Sequence, residues 1–465
     1  MEFIDKLDFN TVFLEQHPLY RKIKNEEEKG EVLVELISEI QQKTLVYAAS
    51  YREVDKVVDL LNSELPYLKR DRTKEFSDWL IESYGSDWVL NQSVLHGVGI
   101  HNGRIHRSIT QIQLRLFDLT DDGLDVIVST SSLIEGVNTA AESVILWKNG
   151  KGGPGGGRRE GGPPLDSFMF KNIIGRSGRM FKYFVGKIYL LEAPPTAQEQ
   201  QLNIDLPDSI LGGIDEVEHK ESLSPEQVSK IIYYRKRMTE LLGLEGYSYL
   251  FGKSGTLQVT DSDLVLEITE KMVSNPAEWN GLSYLNSSNP GKWDRILFLL
   301  IKLRPGGWDI GYRDFVKFVK VLSNSWNLSL PSLLQRTPEG VDVNKFFQLE
   351  RNVTYKLATL LHDVNEIQKV VFKNGVDVGP FVHSLSHAFL PSSVYQLEEY
   401  GLPRMISRKI QLSGVFDFER DWGEVYEVFN ALNRTGRDKI LSIESLNRFE
   451  KEVVDYFFDG ISHGD

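Results

Sequence analysis

The first half of the chain alternates short apolar strands with amphipathic helices, and this pattern limits the fold more than any other feature. Four runs are strand-like: Lys43–Ser50, Asp125–Thr130, Ser143–Trp147 and Gly186–Glu192. Between the first two, apolar residues of Tyr51–Glu64 recur at the three- and four-residue spacing of a helix. Strands that are apolar throughout are buried on both faces. The sequence therefore predicts an α/β domain whose parallel sheet is covered by helices.

Helical patterns dominate after residue 195. A serine N-cap, a proline at the first helical position and a closing glutamine predict one helix that begins after Ser224. We expect a connector at 1–28, the α/β domain at 29–195, and a mostly helical accessory region at 196–465, with a winged-helix-like part and then a helical bundle. Residues 149–164 are mostly Gly and Pro and are expected to form a loop, because they cannot pack a core.

The composition excludes several classes of protein. Among 465 residues there is no cysteine, which excludes disulfide frameworks, cysteine nucleophiles and thiolate metal sites and suits a reducing cytoplasm. The opening residues are acidic and lack a signal-peptide pattern. The longest apolar run begins at Ile296, is too short to span a bilayer and is interrupted by Lys302. We therefore expect a cytoplasmic protein without a membrane partner.

The net charge of −13 argues against a nucleic-acid binder, but the charge is uneven along the chain. Residues 95–192 hold twelve Lys and Arg against nine Asp and Glu, so this segment is basic within an acidic chain. A strongly acidic whole-chain charge can hide one basic groove. The charge therefore lowers the expectation of a nucleic-acid partner without excluding it.

Two Gly-Arg pairs stand three residues apart in the segment FKNIIGRSGRM, at 170–180. Glycine allows close approach of the backbone, and guanidinium groups offer planar, permanently charged forks that match phosphate oxygens. Three-residue spacing on a helix places Arg176 and Arg179 on one face. The pattern predicts a site for a polyanion, and a pair of solvated surface arginines is the alternative.

Two polar clusters precede these pairs. An apolar strand runs into the hydroxyl side chains of Thr130, Ser131 and Ser132. Hydroxyls at the carboxyl end of a parallel strand can bind backbone phosphates, and ligands of open α/β sheets bind at that edge. Further upstream, the segment HNGRIHR at 101–107 stands at a predicted helix start, which is another position that favours anions.

Four segments, in order and spacing, resemble the second RecA-like domain of superfamily 2 helicases, nearest the DExH branch that unwinds RNA or DNA. TLVYAASYREVDKVV is similar to motif IV, and GVGIHNGRIHR is similar to the neighbouring motif G-V-x-x-H-H-x-G-L-x-R. STSSLIEGVNTAA is similar to motif V, and NIIGRSGR is similar to motif VI. Together the segments cover about residues 43–192, so the resemblance implies one RecA-like domain followed by a helical region.

The resemblance implies a role for each matching residue. Arg176 and Arg179 would be arginine fingers that reach the γ-phosphate of ATP. The ATP and its Mg²⁺ would be held mainly by a first RecA-like domain, in the same protein or on a partner chain. Nucleotide binding and coupling would use Gly136, Asn138, Asn172 and Gly175. Single-stranded DNA or RNA would be bound by Thr130, Ser131, Ser132, His101, Arg104 and Arg107.

The sequence departs from the family pattern at three positions, and two family elements are not found. Asn172 replaces the usual Gln, Ala140 the usual Pro, and Asn102 a second His; the first change puts the usual glutamine contact with the nucleotide in doubt. The GKS sequence at 252–254 lacks the first glycine of a P-loop, and DEVEH at 215–219 has one residue too many for an acidic box. We therefore expect no ATP hydrolysis by this chain alone.

Weaker signals lie in the helical region. Arg404 and Arg408 share a helix face, and the resemblance makes them candidates to grip the translocating strand. The basic residues at 235–237 indicate a solvated face, with a nucleic-acid contact as the alternative. His383 and His387 have the spacing of two metal ligands on a helix, but no further ligand accompanies them, so packing is favoured and no metal site is predicted.

The function that the sequence favours is the C-terminal part of an ATP-dependent helicase or translocase. This part would supply the arginine fingers and half of the strand-binding groove. The alternative is a non-catalytic RecA-like interaction or regulatory module that acts with a partner chain. The missing P-loop favours the alternative if Met1 is a natural start, whereas two intact Gly-Arg pairs disfavour it.

Overall fold

A six-stranded parallel sheet forms the centre of the α/β part. The computed structural model describes residues 13–40, 42–131, 141–150, 163–178, 185–195, 223–252, 255–258, 261–372 and 375–462. The strands are β1 (Phe13–His17), β2 (Thr44–Tyr47), β3 (Val98–His101), β4 (Val126–Ser129), β5 (Ser143–Leu146) and β6 (Val185–Leu190). Their order is β1-β6-β5-β2-β4-β3, and every neighbouring pair is parallel. The predicted parallel sheet is confirmed.

The central strands are buried along their whole length, as expected for a sheet with helices on both faces. The register places Tyr47 of β2 opposite Ser129 of β4, and Ser129 opposite His101 of β3. These three strands therefore end level with one another, so that the loops which follow them leave the sheet at one carboxyl edge.

Up to residue 195, the described part of the chain contains the helices α1 (Glu26–Ile40), α2 (Tyr51–Glu64), α3 (Asp71–Tyr84), α4 (Val89–Ser93), α5 (Arg107–Asp118) and α6 (Ser167–Ile174). The predicted apolar face of α2 is fully buried at Val54, Val57, Val58 and Leu61. The side chain of Ser50 caps α2 by accepting a hydrogen bond from the amide of Glu53.

The later part of the chain is helical, as predicted. Its helices are α7 (Pro225–Phe251), α8 (Ser262–Ser274), α9 (Asp294–Lys302), α10 (Tyr312–Leu322), α11 (Leu330–Leu334), α12 (Val343–Arg351), α13 (Ala358–Val371), α14 (Gly379–Ser386), α15 (Ser392–Glu399), α16 (Arg404–Leu412), α17 (Val425–Thr435), α18 (Arg437–Leu441) and α19 (Arg448–Ser462). The capping box predicted at Ser224 is present, and Gly243 interrupts α7 with a φ of 71°. Between α12 and α13 the chain makes a π-helical turn, Asn352–Leu357.

The chain divides into two compact units. One unit comprises Met1–Gln200 together with Gln396–Asp465, and the other comprises Gln201–Tyr395. The last helices of the chain therefore belong with the parallel sheet, and residues 1–28 contribute its edge strand β1. The boundaries predicted from the sequence stay predictions. None of the helices in the described ranges is long and apolar enough to cross a membrane.

Candidate nucleic-acid and phosphate sites

The carboxyl edge of the sheet brings together the segments that follow β2, β3 and β4. The amide of Ala48 donates to the carbonyl of Ser129 at 2.8 Å, and the amide of Thr130 donates to the carbonyl of His101 at 3.2 Å. His101 and Thr130, both predicted to contact a nucleic-acid strand, therefore lie side by side. Ser131 follows, half-buried, and Ser132 lies outside the described residues.

Arg104 is held above this edge by two contacts. Its guanidinium carbon lies 3.8 Å from the centre of the Tyr51 ring, at the start of α2. The Asn102 side-chain oxygen accepts hydrogen bonds from the amides of Arg104, at 2.9 Å, and Ile105, at 3.3 Å. Asparagine suits this position, because a short side chain that folds back onto its own backbone sets the loop. The sequence did not single out Tyr51.

His101 is uncharged at neutral pH. Its side chain is buried, and this burial lowers its pKa to about 4, with a smaller contribution from the positive charge of Arg107. His101 therefore adds no positive charge to this edge of the sheet at neutral pH. The permanent charges of this loop are Arg104, which is half-buried, and Arg107, whose side chain is 56% exposed.

Arg176 lies at the opposite, amino edge of the sheet. Helix α6 begins after Asp166, whose carboxylate accepts from the amide of Met169, and it ends at Ile174. Arg176 therefore follows the helix, and the expectation that it shares a helix face with Arg179 is wrong: Gly175 stops the helix one residue earlier. Gly178 has a φ of 72°, a conformation that favours glycine. Arg179 itself lies outside the described residues.

Ser177 fixes this turn to the sheet. Its buried hydroxyl lies 3.1 Å from the carbonyl oxygens of both Glu142 and Lys187, at the amino ends of β5 and β6. The backbone around it pairs with Ala141, which donates to the carbonyl of Arg176 and accepts from the amide of Gly178. The serine between the two Gly-Arg pairs is the sequence feature that corresponds to this anchor.

The two groups of predicted residues thus occupy opposite ends of the same strands. Thr130 follows the carboxyl end of β4, whereas Arg176 is bonded beside the amino end of β5. Four-residue strands separate these edges by roughly 13 Å. Of the residues predicted to contact nucleotide, Asn172 is half-buried in the last turn of α6 and Gly175 is its exposed C-cap; Gly136 and Asn138 lie outside the described residues.

Arg404 and Arg408 lie on α16, but Arg404 is not a surface group. Its side chain is 8% exposed, and its guanidinium donates to both carboxylate oxygens of Glu398 at 2.6–2.9 Å. A buried arginine that is already neutralised by a carboxylate is poorly suited to bind phosphate. Its contacts favour a structural role. Arg408, one turn further along, is half-buried.

The remaining candidates have ordinary surroundings. Arg237 pairs with Glu270 at 2.8 Å and with Glu240 at 3.4 Å, which favours the solvated-face interpretation of the basic helix. The His387 ring nitrogen Nδ1 lies 2.9 Å from the carbonyl oxygen of His383. Within the described ranges, no group of three His, Asp or Glu side chains is placed to hold a metal ion.

The chain has a distant relative among known proteins. No protein-family model matches the chain. Over 227 residues the chain is 32% identical to Anti-bacteriophage protein B of Escherichia coli (strain K12). The match covers 48% of this chain and 29% of that protein, so the chain spans less than a third of the length of the curated relative it matches.

Proposed function

We propose that this chain is the C-terminal half of a superfamily 2 helicase or translocase of the DExH branch. It would comprise one RecA-like domain and a helical accessory region. The observation that carries the proposal is the separation of the motif-bearing residues onto two edges of one parallel sheet, with Arg104 and Thr130 at one and Arg176 at the other. A motor domain needs such a division, because the strand and the nucleotide are different ligands that must be bound at once.

The chemistry available at each edge agrees with its proposed ligand. Arg104, Thr130 and Ser131 offer a cation and hydroxyls to the phosphates of a strand. At the other edge, the segment 172–178 contains an arginine and an asparagine but no carboxylate, so it can donate to phosphate oxygens and cannot ligate Mg²⁺ through an acidic side chain. By the resemblance, the Mg²⁺ of a bound ATP would take its carboxylate ligands from the first RecA-like domain.

Arg176 and Arg179 would act on the transferring phosphoryl group. Charge accumulates on the oxygens of the γ-phosphate during its transfer to water, and guanidinium groups stabilise that charge. The reaction forms no covalent bond to the protein. We propose a cytoplasmic location for this motor, in keeping with a chain that contains no cysteine.

The alternative is a non-catalytic RecA-like module that regulates a partner chain. It would be favoured if the whole protein, and not only this chain, lacks a P-loop. The elaborate anchoring of the Arg176 turn through Ser177 weighs against it, since a module released from ATP hydrolysis has no need to hold that turn in place.

Single-strand binding by the chain tests the proposal. Fluorescence anisotropy would follow labelled oligothymidylate and oligouridylate across a salt series. We expect weak binding that declines steeply with salt, because phosphate contacts release counterions. Arg104→Ala should weaken binding severalfold, whereas Arg448→Ala, at an exposed arginine of α19, should not. No binding of either oligonucleotide at low salt would overturn the strand-binding part of the proposal.

The distant relative is named an anti-bacteriophage protein, and this name suggests a biological setting to test. We propose that the complete protein acts in defence against bacteriophages. Phages should form plaques less efficiently on cells that express it than on cells that express the Arg179→Ala variant. Equal plating for the two strains, at equal protein levels, would contradict this setting while leaving the biochemical proposal untouched.

A further inference from the structure

A buried ion pair lies directly beside the loop that carries Arg104. Glu398 and Arg404 are 5% and 8% exposed at their side chains, and the Glu398 carboxylate also accepts a hydrogen bond from the backbone amide of Arg404 at 3.0 Å. The pair therefore closes the short connection between α15 and α16 into a rigid turn. Each charge satisfies the other, as a buried charge must.

This turn contacts the loop at 101–107 through the guanidinium group of Arg404. The Nη2 atom of Arg404 lies 3.4 Å from Nε2 of His106, the residue that precedes α5. Beside it, the Gln111 side chain donates to the carbonyl of Glu399 at 3.2 Å. The backbone of Gly401 lies so close that a side-chain carbon at this position would come within 2.2 Å of the Gln111 side-chain oxygen.

The other end of the same segment is anchored to α3. Glu450 is fully buried and accepts hydrogen bonds from the Trp79 ring nitrogen at 3.1 Å and from Lys409 at 2.9 Å. Helix α16 is thus fixed through Lys409 at one end and holds His106 through Arg404 at the other. Close-packed protein interiors have low compressibility and transmit strain, so a shift at one end of this helix is felt at the other.

We infer that Glu398 and Arg404 are positioning residues for the strand-binding loop, acting through His106. The inference rests on the proposed function. Arg404 does not itself bind the strand, because its guanidinium is committed to Glu398. It sets the start of α5, and thereby the direction of Arg104 and Arg107. The local restraints of Arg104 are the Asn102 turn and the Tyr51 ring, and Arg107 lies 3.9 Å from the Glu399 carboxylate.

The test separates positioning from folding. In the full chain, Glu398 and Arg404 are replaced together by methionine, since apolar residues of similar length can replace a buried ion pair without unfolding the protein. A second variant, His106→Ala, leaves the ion pair intact and removes only the link. The matched control is Arg437→Met, which breaks exposed pairs to Asp455 and Asp459 on the last two helices. All three are compared with the wild type by thermal unfolding and by anisotropy with labelled oligothymidylate.

We expect both test variants to remain folded and to bind about five- to tenfold more weakly at low salt. The slope of log affinity against log salt should become less negative by about 0.7, the loss of one phosphate contact on a single strand. A purely structural ion pair would shift the melting temperature and leave this slope unchanged. Wild-type affinity and slope in both variants would overturn the positioning role alone. Absence of binding by the wild type would overturn the strand-binding proposal and this inference with it.

Discussion

Gly186 on β6 has no room for a side chain. A carbon added there would lie 2.6–2.7 Å from the hydroxyl and backbone atoms of Ser177, which are themselves bonded to the sheet. We predict that Gly186→Ala lowers the free energy of unfolding by about 1–3 kcal/mol, because the Arg176 turn must move away from the strand. Urea unfolding followed by circular dichroism measures the change.

Gly460 provides the matched control. It lies within α19, and nothing is within 4 Å of the position that its side chain would occupy. Gly460→Ala should therefore raise the free energy of unfolding by about 0.5–1 kcal/mol, through helix propensity. If the two alanine variants have the same stability, the close contact between Gly186 and Ser177 is not a constraint on the folded state.

His101 gives the protein a pH-dependent stability. The folded pKa is about 4 and the ordinary value is 6.5, so the unfolded chain takes up the proton first. The stabilisation is complete above pH 6.5 and is lost as the pH falls toward 4, by about 3 kcal/mol in total. His101→Gln cannot titrate and should lack this component. Chemical unfolding of both proteins at intervals between pH 7 and pH 4 tests it, and parallel stability curves would contradict it.

At the scale of elements, the ion pair between Glu398 and Arg404 joins α15 to α16. Arg404→Ala leaves the Glu398 carboxylate buried without its partner, so we predict a loss of about 3–5 kcal/mol in the free energy of unfolding. Arg437→Ala removes a pair whose arginine is 40% exposed and should have a much smaller effect. Comparable unfolding curves for the two variants would show that the buried pair contributes no more than a surface pair.

The sequence predicts the buried elements better than the edges. Strands β2, β4 and β5 follow from continuous apolar runs, because they are buried on both faces. Helix α2 follows from apolar residues at helical spacing. Strand β6 is apolar enough to be predicted, although its residues alternate between exposed and buried. Strand β1, with the sequence FLEQH at the sheet edge, and β3, with the short sequence VGIH, carry too little of that signal. Helix α6 ends at Ile174, before Arg176, although the three-residue spacing of the two arginines favoured a helix that contained both.

The sequence predicts only those parts of the candidate site that are formed by residues close together in the chain. The turn at Asn102 and the hydroxyls at Thr130 are local features, and their placement at one edge follows from the parallel sheet. The burial of Arg404 depends on Glu398 and on how α16 packs, and the stacking of Arg104 depends on Tyr51, more than fifty residues upstream. Contacts between distant residues leave no periodic signal in a single sequence.

At the scale of the whole molecule, we predict that this chain alone hydrolyses no ATP, since its sequence offers no P-loop lysine. In the longer motor, Arg179→Lys should reduce turnover by about 10³-fold or more while nucleotide binding is nearly unchanged, because lysine keeps the charge but loses the planar fork. Steady-state phosphate release and equilibrium nucleotide binding measure the two quantities.

Strand binding is the internal control for that variant, because the Arg176 turn and the Thr130 edge lie at opposite ends of the sheet. Arg179→Lys should therefore bind oligothymidylate like the wild type. Wild-type turnover in the lysine variant would contradict the finger role. Steady ATP hydrolysis by the isolated chain, removed by Arg179→Ala, would contradict the need for a first domain.

Asn149 joins the two ends of the glycine-rich segment through hydrogen bonds. Its side chain donates to the carbonyl of Ala193 and accepts from the amide of Leu165, and its own amide donates to Glu192. The two ends of the intervening segment are thus tied to each other and to the end of β6, independently of what lies between them. Closing a longer loop between fixed ends adds only about 0.6 kcal/mol for each doubling of its length. Additional residues inserted between Asn149 and Leu165 should therefore lengthen this loop beside the sheet at little cost to the stability of the fold.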